Sequence, residues 1–518
     1  MEPFKLHKKD AYQIKANGLT EDTLYHQLAT IEQGAPFTDL VRPCTVGDGI
    51  QRLSKDQIQQ ALMVHETEAT GKKLIKFVPA SGAATRMFKH LTVAYNSLLA
   101  DAQFPDDHSD PEIIEFVTNC HKFAFYEDLK ASLSQEGLHC ETLLSDRHFL
   151  PIFEHLISDK WLHYTALPKG SIKFHDYETG ARTAFEEHLV EGAGYARPRT
   201  GECAIHFTVS PQHQEKIVSF LKPVIPAYED RLLTQFHVSF STQKNETNTI
   251  AVDLENRPYR QPDGSLLFRP GGHGALIDNL NTLDADVVFI KNIDNVAHER
   301  YLLQIVEWKK ILCGLLIQIQ QQVFRFLEQF HGHSSGHGLI PEAAEFVKKT
   351  LSRDLPDTFD ASSMELKQQL LIDLLNRPLR ICGMVPNAGD PGGGPFWTRS
   401  LNGETSLQIV ETSQIDTGNP HQLSIANKLT HFNPVDLVCG IKNWRNKPFD
   451  LSRYVDDKAV FIANKTEGGH PIKALELPGL WNGAMAFWNT VFVEVPPITF
   501  NPVKEVTDLL RKGHQPAD

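Results

Sequence analysis

Cysteine is scarce in this chain: seven among 518 residues (Cys44, Cys120, Cys140, Cys203, Cys313, Cys382 and Cys439), never in a CxxC pair. That spacing excludes a zinc ribbon and a disulfide framework and fits free thiols in a reducing compartment. Long apolar runs are missing too. The longest candidate, ILCGLLIQIQQQ from Ile311, turns polar after seven residues, far short of the ~20 that span a bilayer, so no membrane association is predicted. The opening MEPFKLHKKDAY has no apolar core of a signal peptide, and a cytoplasmic location is expected. Positive charge is in deficit, 51 Lys and Arg against 64 Asp and Glu, for a net −13. General nucleic-acid binding, which needs a basic face, is therefore excluded. An anionic substrate would have to be drawn by a local cluster of Lys and Arg. There is no internal repeat, no low-complexity linker and no GxxxxGK[ST] phosphate loop.

What is present is an ordinary globular mixture, 41% hydrophobic, 22% charged and 9% aromatic, long enough for more than one domain. Residues 1–70 read as a mostly helical segment, with Ser54 placed to cap the pattern SKDQIQQALMVHETEA. KKLIKFVPA (72–80) reads as a short buried strand and TRMFKHLTVAYNSLLA (85–100) as a helix. Further helical patterns run to about residue 158. Strand-like segments then dominate, among them ECAIHFTVS, FHVSFST, TIAVDL, SLLFRP and DADVVFIKNID. One long helical pattern follows from Ala297 to Phe330, then two more helices, and strands return with LRICGMVP, SLQIVET, DLVCGI and VFIANK. This alternation predicts an α/β sheet with helical insertions.

Three stretches could carry chemistry. In FVPASGAATRMFK (77–89) a strand passes through small residues into a helix, an arrangement that offers backbone N–H groups and a positive helix end to an anion. Gly82 can take a positive φ, Ala83 and Ala84 keep side chains out of the way, and Arg86 supplies a fixed charge. A tight packing turn would use the same residues. LFRPGGHGALIDNL (267–280) repeats the architecture through Gly271, Gly272, His273 and Gly274; two such turns suggest two sides of one nucleotide pocket. In VVFIKNIDN (287–295) a buried strand delivers Asp294 at its C-terminal end, the edge at which open α/β sheets bind ligands. A carboxylate there suits Mg²⁺, which takes few protein ligands and completes its shell with phosphate and water; it would equally cap a following helix. HGHSSGHG offers His331, His333 and His337 as zinc ligands or as incidental loop residues. GMVPNAGDPGGGPFW (383–397) reads as an anion nest or as a surface loop.

Together these stretches resemble the UDP-sugar pyrophosphorylases, nucleotidyltransferases of the GT-A type. ASGAATRM (80–87) is similar to their GGxGTRL loop, LPKGSIKF with Lys169 to their PK signature, PGGHGALI to their uridine-binding turn and NIDN to their metal-bearing strand end. LQIVETSQI (407–415) resembles the VVEYSE segment of the UDP-N-acetylhexosamine branch, and FNPVKEVTDLL (500–510) the FLPVKxxSDLL segment of UDP-glucose pyrophosphorylases. Two glycines of the first signature are replaced by Ala80 and Ala83, and Arg86 and Lys169 stand 83 positions apart. The chain is thus identified with an uncharacterised bacterial branch, a domain-of-unknown-function family.

The resemblance implies a GT-A-like (Rossmann-like) core with a mixed central sheet, two helical insertions and a C-terminal extension. Its divisions would be 1–70, a helical segment; 71–295, core with a helical insertion at 90–166; 296–376, a second insertion; and 377–518, the remaining core and C-terminal segment. The implied reaction joins a nucleoside triphosphate, UTP by preference, to a sugar 1-phosphate, releasing pyrophosphate with Mg²⁺. Backbone from Ala80 and Ser81 through Gly82, Ala83 and Ala84 would wrap the phosphates, and Arg86 would hold pyrophosphate. Lys169 would contact the α-phosphate and the sugar phosphate, and Lys504 would reach back to the phosphates. Gly272, His273 and Gly274 would face base and ribose, Asp294 would hold Mg²⁺, and Glu411, Asn482 and Gly483 would meet the sugar. The alternatives are a non-catalytic nucleotide-sugar-binding protein and a glycosyltransferase. Against the latter, the only DxD triplet is DAD at 284–286, at the start of the strand leading to Asp294.

Overall fold

A computed structural model describes residues 6–100, 110–198, 201–332, 336–389, 393–400 and 403–516. The chain divides into two compact units, each assembled from three separate stretches: Met1–Leu74, Ser241–Ile290 and Ile311–Val495 form the first, and Ile75–Phe240, Lys291–Lys310 and Pro496–Asp518 the second.

The first unit holds a mixed sheet. Strand Leu379–Pro386 lies parallel to Asn489–Glu494 on one side and antiparallel to Asp436–Gly440 on the other. Val287–Lys291 follows Asp436–Gly440 in the order, and Gly49–Gln51 pairs in parallel with Asn489–Glu494. The interior strands are buried on both faces, the pattern of a sheet covered on both sides. The N-terminal helices Lys8–Ala16 and Glu21–Gln33 bury Ile14, Leu24 and Ile31 against Ile250, Val252 and Leu475 of a smaller four-stranded sheet. Ser54 does cap its helix, reciprocally with Gln57. The helical expectation for residues 1–70 fails over 39–51, which forms three short strands; runs of two to five residues leave too little periodicity to read.

In the second unit, strand Leu74–Pro79 runs parallel to Glu202–Val209, with Gln235–Thr242 beyond it. Helices Lys89–Leu99, Pro111–Thr118, Tyr126–Ser134, Cys140–Ser145 and Leu150–Ile157 surround an aromatic cluster. There Phe116 stacks on Phe123 at 4.9 Å, and Phe125 meets Tyr164 edge-on at 5.4 Å. Phe88 joins this cluster, which anchors the chain just after Arg86. The α-helix itself begins only at Lys89, with residues 84–88 in turns. The positive helix end expected at the small-residue loop is therefore displaced along the chain. Among the described residues no helix is long and apolar enough to cross a membrane, and all seven cysteines are buried free thiols.

Candidate active site

Every charged residue proposed for phosphate chemistry lies in the second unit. The loop after strand Leu74–Pro79 is fixed at both ends: the Ala80 N–H donates to the Thr208 carbonyl (2.8 Å) and the Ala84 N–H to the Leu167 carbonyl (2.9 Å). Between them Ser81, Gly82 and Ala83 are exposed. Their N–H groups meet no acceptor among the described residues. Gly82 does not adopt a positive φ, contrary to expectation, and a Cβ placed on it would meet nothing within 4 Å. Its smallness keeps the loop open from outside; it does not serve a left-handed turn.

The turn that carries Lys169 is bonded to this loop. The Lys169 N–H donates to the Gly82 carbonyl at 3.1 Å, and Ala83 forms a bridge with Pro168. The neighbouring Gly170 is tightly enclosed, since a Cβ there would come within 2.6 Å of the Phe185 ring. The Lys169 ammonium donates to Asp294 Oδ2 at 2.8 Å, with both side chains partly exposed. Asp294 follows the buried strand Val287–Lys291 as expected. It is no helix cap, because the next helical turn is capped by the His298 side chain, which accepts from the Arg300 N–H. The C-terminal segment closes on this pair. The Val503 N–H donates to the Asp294 carbonyl (3.1 Å), and the Val506 N–H to the carbonyl of Met87, next to Arg86 (3.0 Å). Lys504 sits between these ties, exposed, its own N–H and that of Glu505 both held by Asp508 Oδ2. Arg86, also exposed, completes the group. Thus residues 80–86, Lys169, Asp294 and Lys504 are joined by direct backbone bonds or the Lys169–Asp294 ion pair.

Beneath this group lies a charged network that sequence reasoning missed. Lys76 and Lys291, both fully buried, share Glu191: Lys76 Nζ to Oε2 at 3.2 Å and Lys291 Nζ to Oε1 at 2.7 Å. The Tyr195 ring faces Lys76 at 5.3 Å and the buried Lys309 at 5.8 Å. Burial lowers the Lys76 ammonium to about 8 despite Glu191. Burial also pushes the Glu191 carboxyl up, but the two lysines outweigh it and hold it well below the usual carboxylate range. His188, kept neutral by burial and by Lys76, donates from Nε2 to the Ile293 carbonyl at 3.2 Å, one residue before Asp294. The available signal was a lysine inside each of two apolar strand patterns, LIKFV and VVFIK, since a lysine is almost never fully buried without a partner.

The remaining predicted residues lie in the first unit. Gly272 has φ 79° and opens a short 3₁₀ turn, and a Cβ on Gly274 would fall 2.1 Å from the Pro478 carbonyl oxygen. His273 stacks on Trp481 at 4.3 Å and accepts at Nδ1 from the Leu480 N–H, so the proton sits on Nε2, 3.4 Å from Glu411. Burial raises the Glu411 carboxyl, but His273 and Asn482 more than offset this and lower it. Asn482 donates to Gln414 Oε1 at 3.2 Å, while its buried Oδ1 has no hydrogen-bond partner among the described residues. Asn482, Gly483 and Gln414 line a cavity of about 450 Å³, together with Arg399 and Lys458. Such a wall can bind hydroxyl groups.

Asp284 and Asp286 of the DAD triplet pair with Lys73 and Lys442 at the start of strand Val287–Lys291. His331 packs on Trp444; His333, the His337 side chain and residues 390–392 of the glycine-rich loop lie outside the described residues. Among the described residues no group of three or more His, Cys, Asp or Glu is arranged to hold a metal. A single-carboxylate Mg²⁺ site needs no such group, and Asp294 fits one. Lys169 occupies only Oδ2, and the side chain is accessible.

A family model described as a domain of unknown function (DUF4301) matches residues 7–515. The comparison with curated proteins gives no match. Similar solved structures include the UDP-N-acetylglucosamine pyrophosphorylase of Trypanosoma brucei in complex with an inhibitor, at 13% identity and TM-score 0.47, covering 95% of this chain and 74% of that one. A UDP-glucose phosphorylase of Trypanosoma brucei is similar at 12% identity and TM-score 0.44, covering 97% and 77%. The UDP-glucose pyrophosphorylase of Leishmania major is similar at 11% identity and TM-score 0.43, covering 98% and 79%.

Proposed function

The chain belongs to the DUF4301 family, and from that premise we propose that it is a GT-A-like nucleotidyltransferase making a UDP-sugar and pyrophosphate from UTP and a sugar 1-phosphate. The observation that carries this reading is the Lys169–Asp294 pair bonded to the rim of a loop whose N–H groups at Ser81, Gly82 and Ala83 are free to take an anion. The ordered resemblance of six motifs across residues 77–510 supports the same reaction class.

The sugar phosphate is already an anionic nucleophile, so no strong base is needed. One of its phosphate oxygens forms a bond to the α-phosphorus of UTP while the bond from that phosphorus to the β-bridging oxygen breaks. Pyrophosphate leaves, and no proton need move. The difficulty is electrostatic, two repelling phosphates held in line. In this reading Ser81, Gly82 and Ala83 donate to the triphosphate. Arg86 holds the departing pyrophosphate. Lys169 leaves Asp294 to span the two reacting phosphates, and Lys504 adds a further positive charge. Asp294 would hold Mg²⁺, which when bound neutralises phosphate charge. For the first unit, the resemblance assigns Gly272, His273 and Gly274 to base and ribose and Glu411, Asn482 and Gly483 to sugar hydroxyls.

The test is pyrophosphate release from UTP and Mg²⁺ across a panel of sugar 1-phosphates. Activity is expected with at least one sugar in the wild type, and its loss in Asp294→Ala. Binding of UDP-sugars with no turnover for any nucleotide–sugar pair would instead identify a non-catalytic nucleotide-sugar-binding protein.

A further inference from the structure

The first unit contains a second polar cavity, of about 610 Å³, lined among others by Arg353, Arg377, Arg453, Asp354, Glu404 and Tyr454. Its floor is unusual in charge. Arg353 is 8% exposed, yet among the described residues its guanidinium has no hydrogen bond or ion pair. The backbone is bent to place it there: Ser352, directly before it, has φ 49°, in the left-handed region that costs a residue with a Cβ about 1–2 kcal/mol. Such strain persists where the surroundings impose it, and it clusters at ligand sites.

Arg377 lies close enough to repel Arg353. Its Nε donates to the Asp373 carbonyl (2.9 Å) and one terminal nitrogen to the Phe487 carbonyl (3.4 Å), so it is oriented by neutral groups and among the described residues meets no carboxylate within 4 Å. Asp354 is already engaged by Thr405. Glu404 acts on both arginines only from a distance. Burial and the Arg377 charge together push Arg353 down to about 10, which still leaves it charged at neutral pH. Two like charges in a half-enclosed cavity, with no anion in contact, stay unfavourable until an anion enters.

We propose that the Arg353–Arg377 cavity is a binding site for a phosphate monoester, on residues none of which belongs to the Lys169–Asp294 group. Two guanidiniums match a dianionic phosphate, for which the planar fork of arginine is suited. Glu404 and the Tyr454 hydroxyl can meet hydroxyl groups on the remainder of the ligand. The cavity shares part of its rim, at Ser400 and Phe487, with the cavity at Asn482.

Calorimetric titration of the full chain with inorganic phosphate and with glucose 6-phosphate tests this. Both ligands share the dianion, and tighter binding of the ester assigns the hydroxyl contacts. Saturable binding is expected below about 10 mM. Arg353→Gln should weaken it at least about tenfold, the loss for one charge-assisted contact. Arg453→Gln, on an exposed side chain that leaves the fold alone, should weaken it several-fold, and Lys169→Ala should leave it in place. Binding unchanged in Arg353→Gln and Arg453→Gln, binding abolished by Lys169→Ala, or no binding of either ligand would overturn the proposal.

Discussion

Lys169 is the counter-ion of Asp294, 2.8 Å away, and each must change partner before a phosphate can enter between them. Both side chains keep some solvent access, 13% for Lys169 and 23% for Asp294, so an entering phosphate can reach the pair. Lys76 and Lys291 behave oppositely. They are fixed to Glu191 in the interior and stiffen the base from which Asp294 emerges. Their titration gives a clear prediction. The unfolded chain keeps the Lys76 proton up to its ordinary value of 10.5, whereas the folded chain releases it at about 8. Between those values the unfolded state binds more protons, so this residue makes stability rise with pH from about 8 to 10.5. Comparing urea unfolding of wild type and Lys76→Met across that range should show the added slope in the wild type only; equal slopes would place Lys76 elsewhere. The individual charges Arg86, Lys169, Asp294 and Lys504 were legible as motif residues. The buried network was not, because a lysine within an apolar run does not announce which distant carboxylate will neutralise it.

Among elements, the loop after strand Leu74–Pro79 and the turn carrying Lys169 form one piece, tied by the Ala84–Leu167 and Lys169–Gly82 backbone bonds. The two glycines in this piece have different duties. Gly82 has open space and an ordinary φ, so Gly82→Ala should leave the melting temperature nearly unchanged while weakening triphosphate binding through the added methyl. A methyl on Gly170 would collide with Phe185, so Gly170→Ala should cost about 1–3 kcal/mol, the usual range for overpacking, read as a lowered midpoint in urea unfolding. Equal stability of the two variants would contradict this packing. The strands and long helices were readable from periodicity. The helix start at Lys89 was not, because residues 84–88 continue the apolar spacing of a helix while adopting turns. There the aromatic packing of Phe88 against Phe125 and Tyr164 outweighs local propensity.

At the scale of the whole molecule, both units are built from interleaved stretches of sequence, and the last stretch, Pro496–Asp518, returns to the unit begun at Ile75. Periodicity reports each strand but not which distant strand it joins, so the α/β class was readable while this division was not. The return carries functional weight: Val503 and Val506 tie the C-terminal segment to Asp294 and Met87, which is how Lys504, 335 positions after Lys169, comes to share its surroundings. The central claim is that this assembly transfers a nucleotidyl group through Lys169, and the reverse reaction tests it most directly. UTP formation from a UDP-sugar and pyrophosphate in the presence of Mg²⁺ should proceed in the wild type and fall about 10²–10³-fold in Lys169→Ala, the loss for removing one preorganised donor at a transition state. UTP formation at the same rate in both proteins, or in neither with every UDP-sugar tried, would contradict it.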